Sequence, residues 1–330
     1  MILKRLSTLI LAIAVVLPAC VHAENGRVKV PVNLLTANIG NADFMNCGEH
    51  YFFKLCLTKW EKVLAKNIRE LDPDIVALQE VFDSDWCTKM PEEKDSEKVC
   101  YQYRKRREIH QVRRILGPDY TIVCDGRSHF ECTGVKKSLG FVVGCPHGEL
   151  CRNRGSLTHG VPGECDQKPV AFGIDVEIME KVVRVVNAHP AATGEECRTD
   201  EGRRKFEGYG EVPPLVADDR PTLVMGDMNL DPFRDGDESP DIKAWKKHVG
   251  EGRPFRYLSG PAESDPPLPT NAGRTIDHVI TNFAEGSCMT LGEAEGTVRL
   301  DGVETKRAVI DANDHRALLC DLVLPLDTPE

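Results

Sequence analysis

Short apolar runs rich in branched residues recur along this chain, and each ends in a polar residue of a kind that can carry chemistry. Leu223-Val224-Met225-Gly226 leads into Asp227 and Asn229, and Val185-Val186-Asn187-Ala188 leads into His189. Runs of this length bounded by polar residues predict buried strands. A turn would explain the first ending alone, because Asp and Asn hydrogen-bond their own backbone. A loop histidine with satisfied hydrogen bonds would explain the second. The recurrence predicts a site at the shared ends of a sheet, where a rigid scaffold aims several side chains at one point.

Further polar residues stand at the ends of other apolar runs: Asn38, Glu80, Asp277, and the pair Asp314 and His315. Carboxylate and amide oxygens suit a hard cation such as Mg²⁺ or Mn²⁺ better than zinc. Two histidines and the remaining carboxylates can supply a base and an acid. The set therefore predicts hydrolysis of a phosphate ester, which needs a cation to neutralise the phosphate, an activated water and a proton for the leaving oxygen.

Residues 1–23 predict an export signal, because Lys4 and Arg5 precede an apolar run, Leu9 to Leu17, that is followed by small residues. Two cleavage sites compete. Val21-His22-Ala23 fits an ordinary signal peptidase site, whereas Leu17-Pro18-Ala19-Cys20 resembles a lipobox and would place a lipid anchor on Cys20. The expected location is outside the cytoplasm: secreted or periplasmic, or tethered to a membrane as a lipoprotein.

The cysteine count agrees with export. The chain has 13 cysteines, and either cleavage removes Cys20 from the set that can form disulfides, which leaves an even number. This predicts up to six disulfides in an oxidising compartment. The pairs Cys145–Cys151 and Cys47–Cys56 are spaced to close short loops. A zinc site is the rival interpretation, but no Cys-x-x-Cys pair supports it.

The remainder, residues 27–326, reads as a single domain, because no linker, low-complexity tract or repeat divides it. Helices are predicted at 58–71 and 102–116. Strands are predicted at 27–37, 75–78, 120–124, 139–143, 170–178, 182–188, 221–225, 275–281 and 315–324. Many strands with few helices predict an α/β protein with antiparallel or mixed sheets. The net charge of -10 argues against indiscriminate nucleic-acid binding but not against a nuclease with a metal in its site.

Six motifs occur in order: TANIGN, DIVALQEV, VVNAHPAA, GDMNLDP, RTIDHVI and NDHRALL. With them, the chain from about Val32 to Leu324 resembles the endonuclease/exonuclease/phosphatase superfamily, which includes deoxyribonuclease I, sphingomyelinases and inositol polyphosphate 5-phosphatases. The resemblance implies a four-layer α/β sandwich of two stacked mixed β-sheets flanked by helices, with the site at one end of the sheets. It also favours a monomer.

The resemblance implies a metal site for Mg²⁺ or Mn²⁺. Glu80 matches the metal-binding glutamate of the family, Asn38 lies beside it, and Asp314 matches a carboxylate near the phosphate or the metal. Gly40 departs from the pattern, since several nucleases carry a further acidic residue there. That departure weakens the case for a second metal ion.

The resemblance also implies catalytic roles. His315 matches the residue usually cast as the general base, and Asp277 matches the carboxylate that orients it. Asp227 and Asn229 match the pair that positions the attacking water and the phosphate. His189 matches the position near the leaving group, where abasic-site endonucleases usually carry a tyrosine.

The predicted function is therefore an exported, metal-dependent phosphodiesterase, with a deoxyribonuclease I-like endonuclease as the first reading and nucleic acid as its substrate. The alternative is a sphingomyelinase-like or inositol-phosphatase-like enzyme acting on a phospholipid or a sugar phosphate. A binding module without activity is the third. A membrane-contacting hairpin would favour a lipid substrate, but residues 51–53 are better explained as core. The basic residues of segment 104–114 are interpreted as a solvated helix face, with contact to a phosphate backbone as the alternative.

Overall fold

The computed structural model describes residues 23–24, 27–40, 51, 54–83, 85–106, 110–126, 131–153, 171–189, 220–233, 240–259, 269–271, 273–291, 298–300, 303–305 and 315–327. Most of the predicted export signal, including Cys20, lies outside these ranges, and so does Asp314. Within the described part of the chain, no helix is long and apolar enough to cross a membrane.

Eight strands form the first sheet. They are β1 (Ala23–Glu24), β2 (Arg27–Asn38), β3 (Ile75–Gln79), β4 (Tyr120–Asp125), β5 (Cys132–Lys136), β7 (Leu150–Asn153), β13 (Glu285–Thr290) and β16 (Leu318–Asp327). Their order is β13-β16-β2-β3-β5-β4-β7, with β1 added to the start of β2. The β2–β3 and β4–β7 pairs are parallel and the other pairs are antiparallel, so the sheet is mixed.

Six strands form the second sheet. They are β6 (Phe141–Val142), β8 (Ala171–Ile178), β9 (Lys181–Ala188), β10 (Thr222–Asp227), β11 (Arg256–Tyr257) and β12 (Asp277–Thr281), in the order β11-β12-β10-β9-β8-β6. Strand β10 runs parallel to β9 and antiparallel to β12. A separate two-stranded hairpin consists of β14 (Val298–Leu300) and β15 (Val303–Thr305).

The described helices are α1 (Thr58–Leu71), α2 (Trp86–Lys89), α3 (Val99–Arg106), α4 (Gln111–Leu116) and α5 (Pro240–His248). The prediction for α1 is confirmed, and the chain leaves it through Asp72 in a left-handed conformation (φ 48°). The prediction of one helix over 102–116 is wrong. His110 has an extended backbone (ψ 148°) and stands at the N-cap position of α4. Helix α4 is therefore separate from α3.

Three apolar clusters separate four layers. Alternate residues of β2 face opposite ways, because side chains of a strand alternate between the two faces of its sheet. Leu34 packs in the core between the two sheets, whereas Leu35 packs outward with Ile68 of α1 and Ile115 of α4. On the far side, Trp245 of α5 packs with other apolar residues against the second sheet. The predicted four-layer sandwich of two mixed sheets flanked by helices is confirmed.

Four disulfides join described cysteines: Cys87–Cys100, Cys124–Cys132, Cys145–Cys151 and Cys288–Cys320. The predicted Cys145–Cys151 loop is confirmed. Two of the four join residues that lie directly opposite one another in antiparallel strand pairs. Cys56 is also disulfide-bonded, while its predicted partner Cys47 lies outside the described residues. Disulfides of this kind form and persist mainly in oxidising compartments.

Candidate active site

The site is organised around Asp227, the last residue of β10. Strand β10 lies between β9 and β12 in the second sheet. Asn38, the last residue of β2 in the first sheet, donates its Nδ2 hydrogen to Oδ2 of Asp227 at 3.0 Å. The Nε2 atoms of His189 and His315 lie 3.7 and 3.6 Å from that same oxygen. Candidate residues from both sheets thus meet at one buried carboxylate.

Gly226 allows this convergence. Its φ is +139°, and a Cβ built on it would lie 2.0 Å from the carbonyl oxygen of Ala188. Gly226 and Ala188 are paired across β10 and β9, and the residues that follow them are Asp227 and His189. Only glycine permits so close an approach. In the GDMN motif, Gly226 is therefore required for the packing of the two strands, and Asp227 supplies the carboxylate.

Asn229 contributes through its backbone. Its amide donates to Oδ1 of Asp227 at 2.9 Å, and its φ is 50°. This contact is an Asx-type turn of the kind that Asp and Asn favour. The same carboxylate serves both the turn and the site. Its Oδ1 accepts the hydrogen bond of the turn, and this contact holds its Oδ2 toward both histidines.

His315 is oriented by Asp277, the first residue of β12. Nδ1 of His315 lies 3.0 Å from Oδ2 of Asp277, and both side chains are buried. A carboxylate oxygen accepts, so Nδ1 carries the proton and Nε2 is the ring atom turned toward Asp227. Asp277 thereby sets both the tautomer and the direction of the ring. The next residue, His278, faces the opposite side of the strand and packs against Trp245 of α5, with 4.8 Å between ring centroids and the rings tilted by 50°.

His189 has a carboxylate partner that sequence reasoning missed. Oε1 of Glu131 lies 3.0 Å from Nδ1 of His189, and Glu131 is buried. Glu131 immediately precedes β5, which was not predicted as a strand. The site therefore contains two histidine–carboxylate pairs, His189–Glu131 and His315–Asp277, and both approach the same oxygen of Asp227.

A buried polar contact between the sheets aligns the strands behind the site. Gln79 Nε2 donates to Oδ1 of Asn187 at 2.8 Å, and Asn187 Nδ2 contacts the carbonyl oxygens of Leu78 and Cys132 at 3.2 Å each. Gln79 precedes Glu80, and Asn187 lies two residues before His189. The contact thus fixes how the ends of β3, β5 and β9 stand relative to one another.

The metal-ligand candidates Asn38 and Glu80 face one point in space. A Cβ on Gly40 would lie 2.3 Å from Oε2 of Glu80 and 3.1 Å from Oδ1 of Asn38. The absence of a side chain at Gly40 thus leaves a cradle bordered by two oxygens at short range. Glu80 is held there in a left-handed conformation (φ 59°), which costs a residue with a Cβ about 1–2 kcal/mol. The oxygen donors fit a hard cation such as Mg²⁺.

Lys54 also contacts this cradle. Its Nζ lies 3.4 Å from Oε2 of Glu80, and the lysine side chain is 5 % exposed. No pattern in the sequence marked it, because it belongs to the segment between β2 and α1. The other oxygen of Glu80, Oε1, lies 3.8 Å from Nε2 of His189.

A second set of potential ligand atoms belongs to Asp227, Asp277 and His315, which lie within 4.8 Å of one another. Oδ1 of Asp277 is buried without a hydrogen-bond partner. However, Oδ2 of Asp277 and Nδ1 of His315 are already joined in the pair that orients the imidazole. The donor atoms that Asn38 and Glu80 turn toward Gly40, by contrast, are both oxygens.

Burial and charge shift two pKa values in the site. Burial acts to lower the pKa of His189, but the hydrogen bond to Glu131 and the charges of Asp227, Glu131 and Glu80 outweigh it, and the pKa is raised. Burial raises the pKa of Asp227, and the charge of Asp277 adds to the rise, against the opposing effects of both histidines and Asn38. Both shifts favour retention of a proton within the cluster.

The sequence of this site matches a known family. The Endonuclease/Exonuclease/phosphatase family matches residues 35–287, which span Glu80, Glu131, His189, Asp227 and Asp277. The chain belongs to this family. Endonuclease/exonuclease/phosphatase proteins hydrolyse phosphoester bonds, so the chain has the architecture of a phosphoester hydrolase.

Solved structures agree on the fold at low sequence identity. Humanized TDP2 from D. rerio is 13% identical, with a TM-score of 0.53, covering 88% of this chain and 98% of that one. Beta toxin from Staphylococcus aureus is 13% identical, with a TM-score of 0.52 and coverages of 88% and 99%. The human Nocturnin catalytic domain with bound sulfate is 14% identical, with a TM-score of 0.52 and coverages of 90% and 96%. Among curated proteins, none matches this chain by sequence.

Three arginines of the basic segment, Arg104, Arg113 and Arg114, contact acceptors within the protein. Arg104 donates to the carbonyl oxygens of Cys87, Met90 and Pro91. Arg113 donates to the carbonyl oxygens of Gly117, Tyr120 and Gly148. Arg114 forms a two-point contact with the carboxylate of Glu61, at 2.6 and 2.9 Å. These three arginines satisfy backbone and buried acceptors, so the interpretation as a solvated face is wrong for them.

Proposed function

We propose that the protein is an exported, Mg²⁺- or Mn²⁺-dependent phosphodiesterase of the deoxyribonuclease I type that cleaves nucleic acid internally. The observation that carries the proposal is the convergence of two histidine–carboxylate pairs on Asp227. Hydrolysis of a phosphodiester needs one group to take a proton from water and another to give a proton to the leaving oxygen. Two oriented imidazoles beside one carboxylate supply both.

His315 takes the proton from the attacking water. With Asp277 holding the proton on Nδ1, Nε2 is the basic atom, and the imidazolium that forms is stabilised by the Asp277 carboxylate at 3.0 Å. Asp227 and Asn229 position the water and the phosphate. Oδ2 of Asp227, 3.6 Å from Nε2 of His315, helps to orient the water toward the base.

His189 holds the phosphate and gives a proton to the leaving oxygen. Its pKa is raised because the contacts with Glu131, Asp227 and Glu80 outweigh the effect of burial, so the ring keeps its proton over a wider pH range. A protonated imidazole is the form that this role requires. When bound between Asn38 and Glu80, with Asp314 as a further proposed ligand, the cation neutralises charge on the phosphate.

Two features favour nucleic acid as the substrate. The fold of D. rerio TDP2 resembles this one and was captured with a single-strand DNA product. Two exposed aromatic side chains, Trp86 and Phe233, follow β3 and β10 past the strand ends that form the site, and they are 36% and 50% exposed. Exposed aromatic rings can stack on the bases of a nucleic acid.

Export is supported by the N-terminal sequence and by the disulfides. Ala23 pairs with Val28 at the start of β2, whereas Asn38 at its other end lies in the site. This stretch of strand spans roughly 33 Å at ~3.3 Å per residue. If Cys20 carried a lipid, the anchor would therefore precede the end of β2 that lies farther from the site.

A substrate panel tests the proposal. Plasmid DNA, RNA, sphingomyelin vesicles and inositol phosphates are each incubated with the mature chain in Mg²⁺ or in EDTA, beside the His315→Ala variant. Metal-dependent cleavage of plasmid DNA or RNA by the wild type alone is the expected result. Hydrolysis of sphingomyelin or inositol phosphates, with nucleic acid left intact, would replace the proposed substrate with a lipid or sugar phosphate.

A further inference from the structure

A buried lysine, Lys54, lies next to Glu80, one of the two residues of the proposed metal site. Lys54 is 4% exposed, and its Nζ lies 3.4 Å from Oε2 of Glu80. An ammonium group is expensive to bury unless a charge partner compensates it. Glu80 is such a partner, but Glu80 is also the carboxylate proposed to bind the cation.

Lys54 and the cation would share one oxygen atom. Oε2 of Glu80 lies 3.4 Å from the lysine Nζ, and a Cβ built on Gly40 would lie 2.3 Å from the same oxygen. A divalent ion held by Asn38 and Glu80 would therefore stand within range of strong repulsion from the ammonium. The ammonium and the divalent ion can be bound together with a favourable free energy only when enough negative charge balances both.

We propose that Lys54 is a positioning residue that sets the metal affinity of the site and makes tight metal binding depend on the phosphate of the substrate. Without substrate, Lys54 holds the Glu80 carboxylate and opposes the entry of a divalent ion. A bound phosphodiester brings the negative charge that offsets both positive centres. The inference rests on the proposed metal site at Asn38 and Glu80, and it adds to that site a residue that lowers its resting affinity.

The sign of the effect distinguishes this role from a purely structural one. A lysine that merely supports Glu80 would, when removed, leave the ligand poorly placed and weaken metal binding. A lysine that competes with the metal would, when removed, strengthen metal binding. Lys54→Met keeps the length and apolar stem of the side chain and removes only the ammonium. Lys54→Arg keeps the charge.

The test is Mn²⁺ binding to the full mature chain, freed of metal and without substrate, measured by isothermal titration calorimetry. Lys54→Met should bind Mn²⁺ about tenfold more tightly than the wild type, since a unit charge a few ångströms from a divalent ion is worth at least that much. Lys54→Arg should bind nearly as weakly as the wild type. A second uncharged variant, Lys54→Gln, should also bind Mn²⁺ more tightly than the wild type. It serves as the test if the methionine variant folds poorly.

Lys136→Met is the matched control. Lys136 also pairs with a carboxylate, Asp72, at 2.6 Å and is 20% exposed, but it ends β5 at the opposite end from Glu131 and the site. Its loss should leave Mn²⁺ affinity unchanged. Mn²⁺ affinity that is unchanged or weaker in both Lys54→Met and Lys54→Gln would overturn the inference.

The same titration separates this inference from the proposed function. If neither the wild type nor the Lys54 variants bind Mn²⁺, the inference and the metal site fall together. If the affinity rises in Lys54→Met while no phosphodiester in the substrate panel is cleaved, the inference stands and the proposed activity is wrong.

Discussion

Glu131 is hydrogen-bonded to Nδ1 of His189 at 3.0 Å, although 58 residues separate them in the chain. The contact mirrors the one between Asp277 and His315, which is also 3.0 Å long. Because both rings then turn Nε2 toward Oδ2 of Asp227, the site has two similarly built arms. The two histidine–carboxylate pairs differ in their surroundings, because Nε2 of His189 also lies 3.8 Å from Oε1 of Glu80.

The Glu131 contact predicts a coupled loss of activity. Alanine at His189 should lower turnover by about 10²–10⁴-fold, the usual worth of an acid–base group. Glu131→Ala should cost less, because the ring remains but is no longer oriented. The double variant should be no slower than His189→Ala alone, since Glu131 acts only through the ring. Losses that multiply in the double variant would show that Glu131 has an independent role.

The two histidines should respond differently to the leaving group. A nitrophenyl phosphodiester has a leaving group that needs little protonation. On this substrate His189→Ala should recover much of its lost rate, whereas His315→Ala and Asp277→Ala should not, because activation of water is still required. The measurement is the ratio of rates on the natural and nitrophenyl substrates for each variant. Equal recovery by both histidine variants would refute the assignment of roles.

Gly226 should tolerate no side chain. Gly226→Ala places a Cβ 2.0 Å from the carbonyl oxygen of Ala188, so β9 and β10 must separate where they carry His189 and Asp227. We expect ~1–3 kcal/mol of destabilisation from overpacking, in addition to backbone strain, together with loss of activity. Gly144→Ala is the control, because Gly144 also has a positive φ (+79°) but nothing within 4 Å of the added Cβ.

Denaturant unfolding of both glycine variants checks this. Gly144→Ala should lose about 1–2 kcal/mol, the cost of the left-handed conformation alone, and should keep its activity. A Gly226→Ala variant that is as stable and active as Gly144→Ala would contradict the account of the strand contact.

His278 should make the fold sensitive to acid. Burial lowers its pKa, and its Nε2 contacts the carbonyl oxygen of Leu230 at 2.8 Å while Nδ1 lies 3.2 Å from the hydroxyl of Tyr257. The unfolded chain therefore takes up a proton, at a pKa near 6.5, before the folded one does. Above the pKa of the unfolded chain, the stabilising effect of the neutral ring is complete. It is lost as the pH falls from that pKa toward the lower pKa of the folded chain.

Unfolding of wild type and His278→Gln between about pH 7.5 and about pH 5.5 measures this difference. The wild type should lose more free energy of unfolding than the variant, by up to ~1.4 kcal/mol per pH unit, because only the wild type carries this histidine. Parallel pH profiles would show that His278 does not contribute.

The residues that sequence reasoning found share one property: each follows or begins a strand that is visible as an apolar run. Asp227 and His189 are examples, since the runs before them are apolar and rich in branched residues. Glu131 precedes β5, whose sequence Cys132–Lys136 contains Thr133 and Gly134 and is buried because of its central place in the sheet. That burial is a tertiary effect that the local pattern does not carry.

Lys54 and the Cys124–Cys132 pairing could not be predicted from the sequence for a related reason. Lys54 reaches Glu80 from a segment without periodicity, so only the folded chain reveals the contact. The Cys124–Cys132 pair depends on the register of β4 against β5. The arginines of segment 104–114 are a similar case, because their acceptors include the carbonyl oxygens of Cys87 and Gly148, which are distant in sequence.

The central claim is that a cation at Asn38 and Glu80 and two oriented histidines cleave a phosphodiester. Nicking of supercoiled plasmid DNA by the mature chain tests it most directly. With Mg²⁺ the wild type should convert supercoiled plasmid to the relaxed form, EDTA should abolish the conversion, and added Mn²⁺ should restore it. His189→Ala and His315→Ala should each be slower by about 10²–10⁴-fold. Undiminished nicking in EDTA, or wild-type rates from both histidine variants, would contradict the account.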